Sequence, residues 1–246
     1  MKVDFAICGT QKGGTTALYA YLRKHPEICM TKKKELHFFD KEDNFPCGAT
    51  DYSRYHSAFD PKKSHKLVGE ATPIYMYWYD APKRLWQYNP DMKLIVILRN
   101  PIDRAYSHWN MEQIKNRDAL SFWEAIQTEA RRCQEALPYQ HRRFSYMDRG
   151  FYIEQLRRLW TYFTRENVLI LRNEDLLFRP HETLQQTCDF LDVTPFRRIR
   201  AGNEGSRPYT SAISDREKEY LRSIFEYEIR GIERLLGWDC SNWLLD

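Results

Sequence analysis

Four short apolar runs constrain this chain more than any other feature. VDFAICG (3–9), KLVGEA (66–71), KLIVILR (93–99) and NVLILRN (167–173) are rich in Val, Ile and Leu, as strands covered on both faces should be. Helical patterns separate or follow them, at 15–24, 80–88, 101–116, 121–136, 150–164 and 180–191. A late amphipathic stretch, 214–236, repeats Leu221, Ile224, Phe225, Ile229, Ile232 and Leu235 at helical spacing. This alternation predicts an α/β fold, a parallel sheet flanked by helices on both faces. The 246 residues contain no internal repeat and no linker, so one domain spanning 1–246 is expected.

In a sheet of this kind ligands sit at the carboxyl ends of the strands. The segments to inspect are therefore Gly9–Thr16, Ala71–Pro73, Arg99–Ser107 and Asn173–Asp175, a polar and partly basic set that suits an anion. The first reads GTQKGGTTAL. A helix N-terminus offers unpaired amides and a positive dipole end, so it receives phosphate or sulfate readily. Gly13 and Gly14 permit close backbone approach, and Thr15 and Thr16 add hydroxyls. The nucleoside-triphosphatase loop requires Lys after its last Gly. Here Thr15 stands there, and the lysine, Lys12, precedes the paired glycines.

At the third strand the chain runs LIVILRNPIDRAYSHW (94–109). Asn100 is a helix cap and Pro101 a favoured first helical residue. Arg99 and Ser107, two helical turns apart, can then converge on one anion, with Arg supplying a planar donor fork. Arg104 is expected in structural ion pairs. Residues 32–40, KKKELHFFD, read by themselves as a basic surface turn leading into buried Phe38 and Phe39, with the three lysines a solvated run.

Net charge is +4, weaker than a dedicated nucleic-acid binder shows. No apolar run approaches the ~18 residues of a membrane span. The N-terminus reads as a core strand rather than a signal peptide, and the six cysteines form no CxxC pair. Reduced thiols in a cytoplasmic protein are the expectation. None of the seven histidines forms HxH or HExxH, and no GxSxG elbow is present.

Taken together, these motifs resemble the sulfotransferases that use 3′-phosphoadenosine 5′-phosphosulfate (PAPS), and most closely the heparan sulfate (glycosaminoglycan) branch. That resemblance implies a P-loop-kinase-like α/β fold. It makes Lys12 the contact to the bridging and sulfuryl oxygens and Gly13, Gly14, Thr15 and Thr16 the 5′-phosphate cradle. It makes Arg99 and Ser107 ligands of the 3′-phosphate, closed over by Gly205, Ser206 and Arg207 of NEGSRP. KKKELHFFD falls where the branch carries its base, so Glu35 is the implied base and His37 its polar assistant. Tyr152 is a candidate neighbour of the adenine. PAPS is then the donor, 3′-phosphoadenosine 5′-phosphate (PAP) the product, and no metal is required. The acceptor is a glycan or small molecule, its hydroxyl or amine left open. One departure stands out: the segment GEATPIY has Ala71 where the branch often carries Lys. The rival readings are a nucleotide or small-molecule kinase and an inactive nucleotide-binding module.

Overall fold

A computed structural model describes residues 1–46, 49–196 and 211–244. Its elements run β1 (Phe5–Gly9), α1 (Thr15–Leu22), β2 (Ile28–Met30), α2 (Ser53–His56), β3 (Leu67–Ala71), α3 (Ala81–Tyr88), β4 (Lys93–Leu98), α4 (Pro101–Ile114), α5 (Phe122–Glu135), α6 (Tyr152–Tyr162), β5 (Val168–Arg172), α7 (Asn173–Phe178), α8 (Pro180–Leu191) and α9 (Asp215–Leu236). The chain divides into two compact units.

The first unit comprises Met1–Leu98 and the described residues of Arg158–Ser206. It holds the sheet, five parallel strands in the order β2-β3-β1-β4-β5. All four expected strands are present, trimmed by a residue or two at some ends. The fifth, β2, has three residues, too few to show a period. Strand β1 lies at the centre, paired with β3 on one side and β4 on the other. Phe5, Ile7, Ile95 and Ile97 pack with Leu18, Leu171, Leu184 and Leu191 into a core that excludes water. The chain leaves β1, β2 and β3 at the same edge of the sheet, as parallel strands require. The loops that follow these three strands carry candidate site residues.

The second unit comprises Arg99–Arg157 and the described residues of Arg207–Asp246. It is helical, and its helix ends follow their sequence signals. Asn100 accepts from the Ile102 amide at 3.0 Å, with Pro101 in the first turn of α4. Ser121 with Glu124, and Ser214 with Glu217, form capping boxes at α5 and α9. Helix α9 buries Leu221, Phe225, Ile229 and Ile232, every third or fourth residue of its apolar stripe.

Candidate active site

The loop from β1 into α1 is a backbone device. The Gly13 amide donates to the Thr10 carbonyl at 2.9 Å. A Cβ at Gly13 would stand 2.3 Å from the Ile97 carbonyl oxygen, so only glycine fits. Gly14 caps α1 at φ +101, a left-handed geometry that glycine alone adopts without strain. Asn173, the buried first residue of α7, donates to the Gly13 carbonyl at 2.9 Å and braces the turn. Lys12 is half-buried with φ 71. Thr15 is buried and Thr16 exposed. Amides at the start of α1 have no acceptor within the helix, which leaves donors for an anion.

The loop after β2 is a charge device. Glu35 and His37 both adopt positive φ, 64 and 53, which costs a side chain about 1–3 kcal/mol each. Lys34 Nζ lies 2.7 Å from Glu35 Oε1, and His37 Nε2 lies 3.6 Å from Glu35 Oε2. The other ring nitrogen, Nδ1, meets Asp40 Oδ2 at 3.0 Å. Asp40 is fully buried, whereas the Glu35 side chain is 42% exposed. The result is a chain of alternating charge, Asp40–His37–Glu35–Lys34. The hydrogen bond to Asp40 is the largest of the effects that raise His37 to about 9, with Glu35 adding to it. Burial opposes ionisation of Glu35, but His37 and the Lys34 ammonium outweigh it and hold that carboxyl at about 2. At neutral pH Glu35 is a carboxylate and His37 an imidazolium.

One sequence expectation changes here, and one residue is added. Lys34 is not part of a solvated run: its side chain is 16% exposed and paired with Glu35. Lys32 does stay in water, 3.7 Å from Asp60. Asp40 was missed, although an acid three residues after His37 in KELHFFD was a readable signal.

Beneath the same loop, the Glu35 amide donates to the Ala71 carbonyl at 2.9 Å. The Leu36 amide donates to Thr72 Oγ at 3.1 Å, and the Phe38 amide to Tyr75 Oη at 3.1 Å. Residues of GEATPIY therefore seat the loop directly. Thr72 and Met76 are in turn held to β1 through the Ile7 and Cys8 carbonyls.

In the second unit Arg99 is half-buried and precedes α4, while Ser107 is buried within that helix. Tyr152 donates to the Arg99 carbonyl at 2.8 Å and is itself fully buried, so its hydroxyl pins the corner. Asn100 Nδ2 donates to the Trp243 carbonyl at 3.1 Å. Arg104, fully buried, donates to the Tyr146 carbonyl and acts electrostatically on Glu129. Gly205, Ser206 and Arg207 lie outside the described residues. Among the described residues no group of His, Cys, Asp and Glu is arranged to hold a metal ion, and no helix is long and apolar enough to cross a membrane. The five described cysteines are free.

Residues 2–202 match the sulfotransferase domain. Heparan sulfate glucosamine 3-O-sulfotransferase 5 of Mus musculus is 29% identical over 193 residues, 77% of this chain and 53% of that protein. Bifunctional heparan sulfate N-deacetylase/N-sulfotransferase 3 of Homo sapiens is 31% identical over 203 residues, 78% of this chain and 22% of that protein. The chain thus spans about half the length of the first of these relatives and less of the second. A solved sulfotransferase from Alicyclobacillus acidocaldarius superposes with a TM-score of 0.83 at 28% identity, covering 99% of both chains. The chain belongs to the sulfotransferase family.

Proposed function

We propose that the chain transfers a sulfuryl group from PAPS to an acceptor hydroxyl of a carbohydrate or a carbohydrate-bearing small molecule, and that residues 1–246 act as one sulfotransferase domain. The observation that carries this reading is the charge chain Asp40–His37–Glu35–Lys34, set on a loop hydrogen-bonded to the segment after β3. PAPS supplies an SO3 group on a leaving phosphate: the acceptor oxygen forms the new S–O bond as the S–O bond to that phosphate breaks, and PAP departs.

Glu35 takes the hydroxyl proton as the oxygen attacks, because an alcohol is a poor nucleophile until that proton leaves. His37 carries a proton at neutral pH and is not the base. It keeps Glu35 ionised and oriented, at the cost of lowering its basicity. Lys12 neutralises charge growing on the leaving oxygen. The Gly13–Thr16 backbone and the Thr15 and Thr16 hydroxyls cradle the 5′-phosphate, a role supported by a turn too crowded for any side chain at Gly13. Arg99 and Ser107 hold the 3′-phosphate, and the resemblance assigns Gly205, Ser206 and Arg207 to the same group. Lysine, arginine and helix amides supply the positive charge that a kinase takes from Mg2+.

The carbohydrate acceptor rests on the relatives' names, which specify heparan sulfate. Ala71 bears on that choice, because the site lacks the lysine expected there, while Lys34 places an ammonium 2.7 Å from Glu35. The five described cysteines are free, which fits a cytoplasmic setting, and we hold that setting as part of the proposal. The test is incubation with labelled PAPS against heparan sulfate oligosaccharides and simple glycosides. Label should appear on an acceptor in wild type and fall on the order of 10²-fold in Glu35→Gln. Full rate in that variant overturns the base assignment.

A further inference from the structure

Beneath the Glu35 loop lies a second carboxylate that no step above uses. Glu70, on β3, is fully buried. Its hydrogen-bond partners among the described residues are hydroxyls: Tyr55 at 2.7 Å, Thr72 at 2.7 Å, and Tyr75 at 3.3 and 3.4 Å to its two oxygens. A buried carboxylate held by neutral groups is costly, and an apolar residue would serve the core better. Burial pushes its carboxyl up to about 7 against the pull of those hydroxyls, with the Asp40 charge adding to the push.

We propose that Glu70 is a positioning residue which, through Thr72 and Tyr75, holds the Glu35–Phe39 loop in the geometry that presents Glu35. The reasoning is directional. Above about pH 7, where Glu70 is ionised, its carboxylate only accepts hydrogen bonds, so Thr72 and Tyr75 must aim their protons at it. Their lone pairs are then left for the Leu36 and Phe38 amides, which donate to those same two oxygens. Donation to a charged acceptor also makes each hydroxyl a better acceptor in turn. The loop needs such support because Glu35 and His37 both sit at positive φ, a strain that persists only where the surroundings over-determine it. Tyr55, the third donor, fixes Glu70 itself from the opposite side of the sequence. A glutamine at 70 would place an amide donor against one of these hydroxyls and reverse its direction.

The proposal rests on Glu35 being the base, and its test keeps the two ideas apart. Amide hydrogen exchange would be followed by NMR in wild type, Glu70→Gln and Tyr75→Phe, with β4 amides as the internal control. Exchange at Leu36 and Phe38 should quicken about tenfold in Glu70→Gln while β4 is unchanged. Tyr75→Phe, which removes one hydroxyl alone, should quicken Phe38 and spare Leu36. Turnover of labelled PAPS should fall about tenfold in Glu70→Gln at unchanged KM for PAPS, and should fall no further when Glu70→Gln is added to Glu35→Gln. Unchanged exchange at both amides, or equal quickening across β4, overturns the positioning role. Multiplying effects of Glu70→Gln and Glu35→Gln overturn its action through Glu35. Quickened exchange beside full turnover in Glu35→Gln upholds the positioning of the loop and overturns the base reading instead.

Discussion

The loops after β1 and after β2 sit at the same edge of one sheet and reach their functional shape by opposite means. The first is built from backbone: Gly13 is pressed against the Ile97 carbonyl, Gly14 is left-handed, and Asn173 braces the turn. The second is built from charge, with Asp40, His37, Glu35 and Lys34 alternating in sign and two non-glycine residues held at positive φ. A backbone cradle suits a ligand group that is already charged when it arrives. A charge chain suits a group that must change protonation during a reaction. The comparison also implies different failure modes, steric for the first loop and pH-dependent for the second.

The largest effects should separate the loops by what they lose. Lys12→Ala should lower turnover on the order of 10²-fold and also weaken PAP binding. Glu35→Gln should lower turnover by a similar factor and leave PAP binding intact. Equal loss of PAP affinity in both would merge the two roles and break the comparison.

Stability comes next. Gly13→Ala forces a Cβ onto a backbone oxygen, and Gly14→Ala imposes left-handed strain, so each should cost about 1–3 kcal/mol in urea denaturation. A neutral result at Gly13 would mean that the turn relaxes and is not a rigid cradle.

The charge chain makes a prediction about pH. His37 has a raised pKa in the folded protein, so its stabilising contribution is complete below the ordinary value of 6.5 and is lost as pH rises through about 9. Glu35 is the mirror case, contributing above 4.5 and losing its contribution as pH falls through about 2. Asp40→Asn should return the His37 titration toward 6.5 by NMR, because the Asp40 bond is the largest cause of the shift. A midpoint that stays near 9 would assign the shift to Glu35. The smallest effect belongs to Lys32→Ala, whose pair with Asp60 is exposed; stability should stay within about 0.5 kcal/mol.

The same contrast explains what was legible in the sequence. Backbone devices leave local signatures: the paired glycines after an apolar run gave the first loop, and Asn100-Pro101 gave the start of α4. Strand β5 was expected over 167–173, yet Asn173 begins α7, where its side chain reaches Gly13 across 160 residues of sequence. Strand β2 and helix α7 are too short to show a period. Charge devices depend on neighbours brought together by folding. Glu70 meets Tyr55 from fifteen residues away, and Lys34 is mostly out of solvent in a loop whose Glu35 amide bonds the Ala71 carbonyl. Resemblance to a family singled out Glu35 and His37, but nothing local announced their positive φ.

The most direct measurement is calorimetric titration of the protein with PAP beside ATP and Mg2+. The account predicts tight, metal-independent binding of PAP, weakened by Lys12→Ala and by Arg99→Ala, and weaker binding of ATP with Mg2+. Preference for ATP with Mg2+ would contradict it and make the loop after β1 a kinase loop.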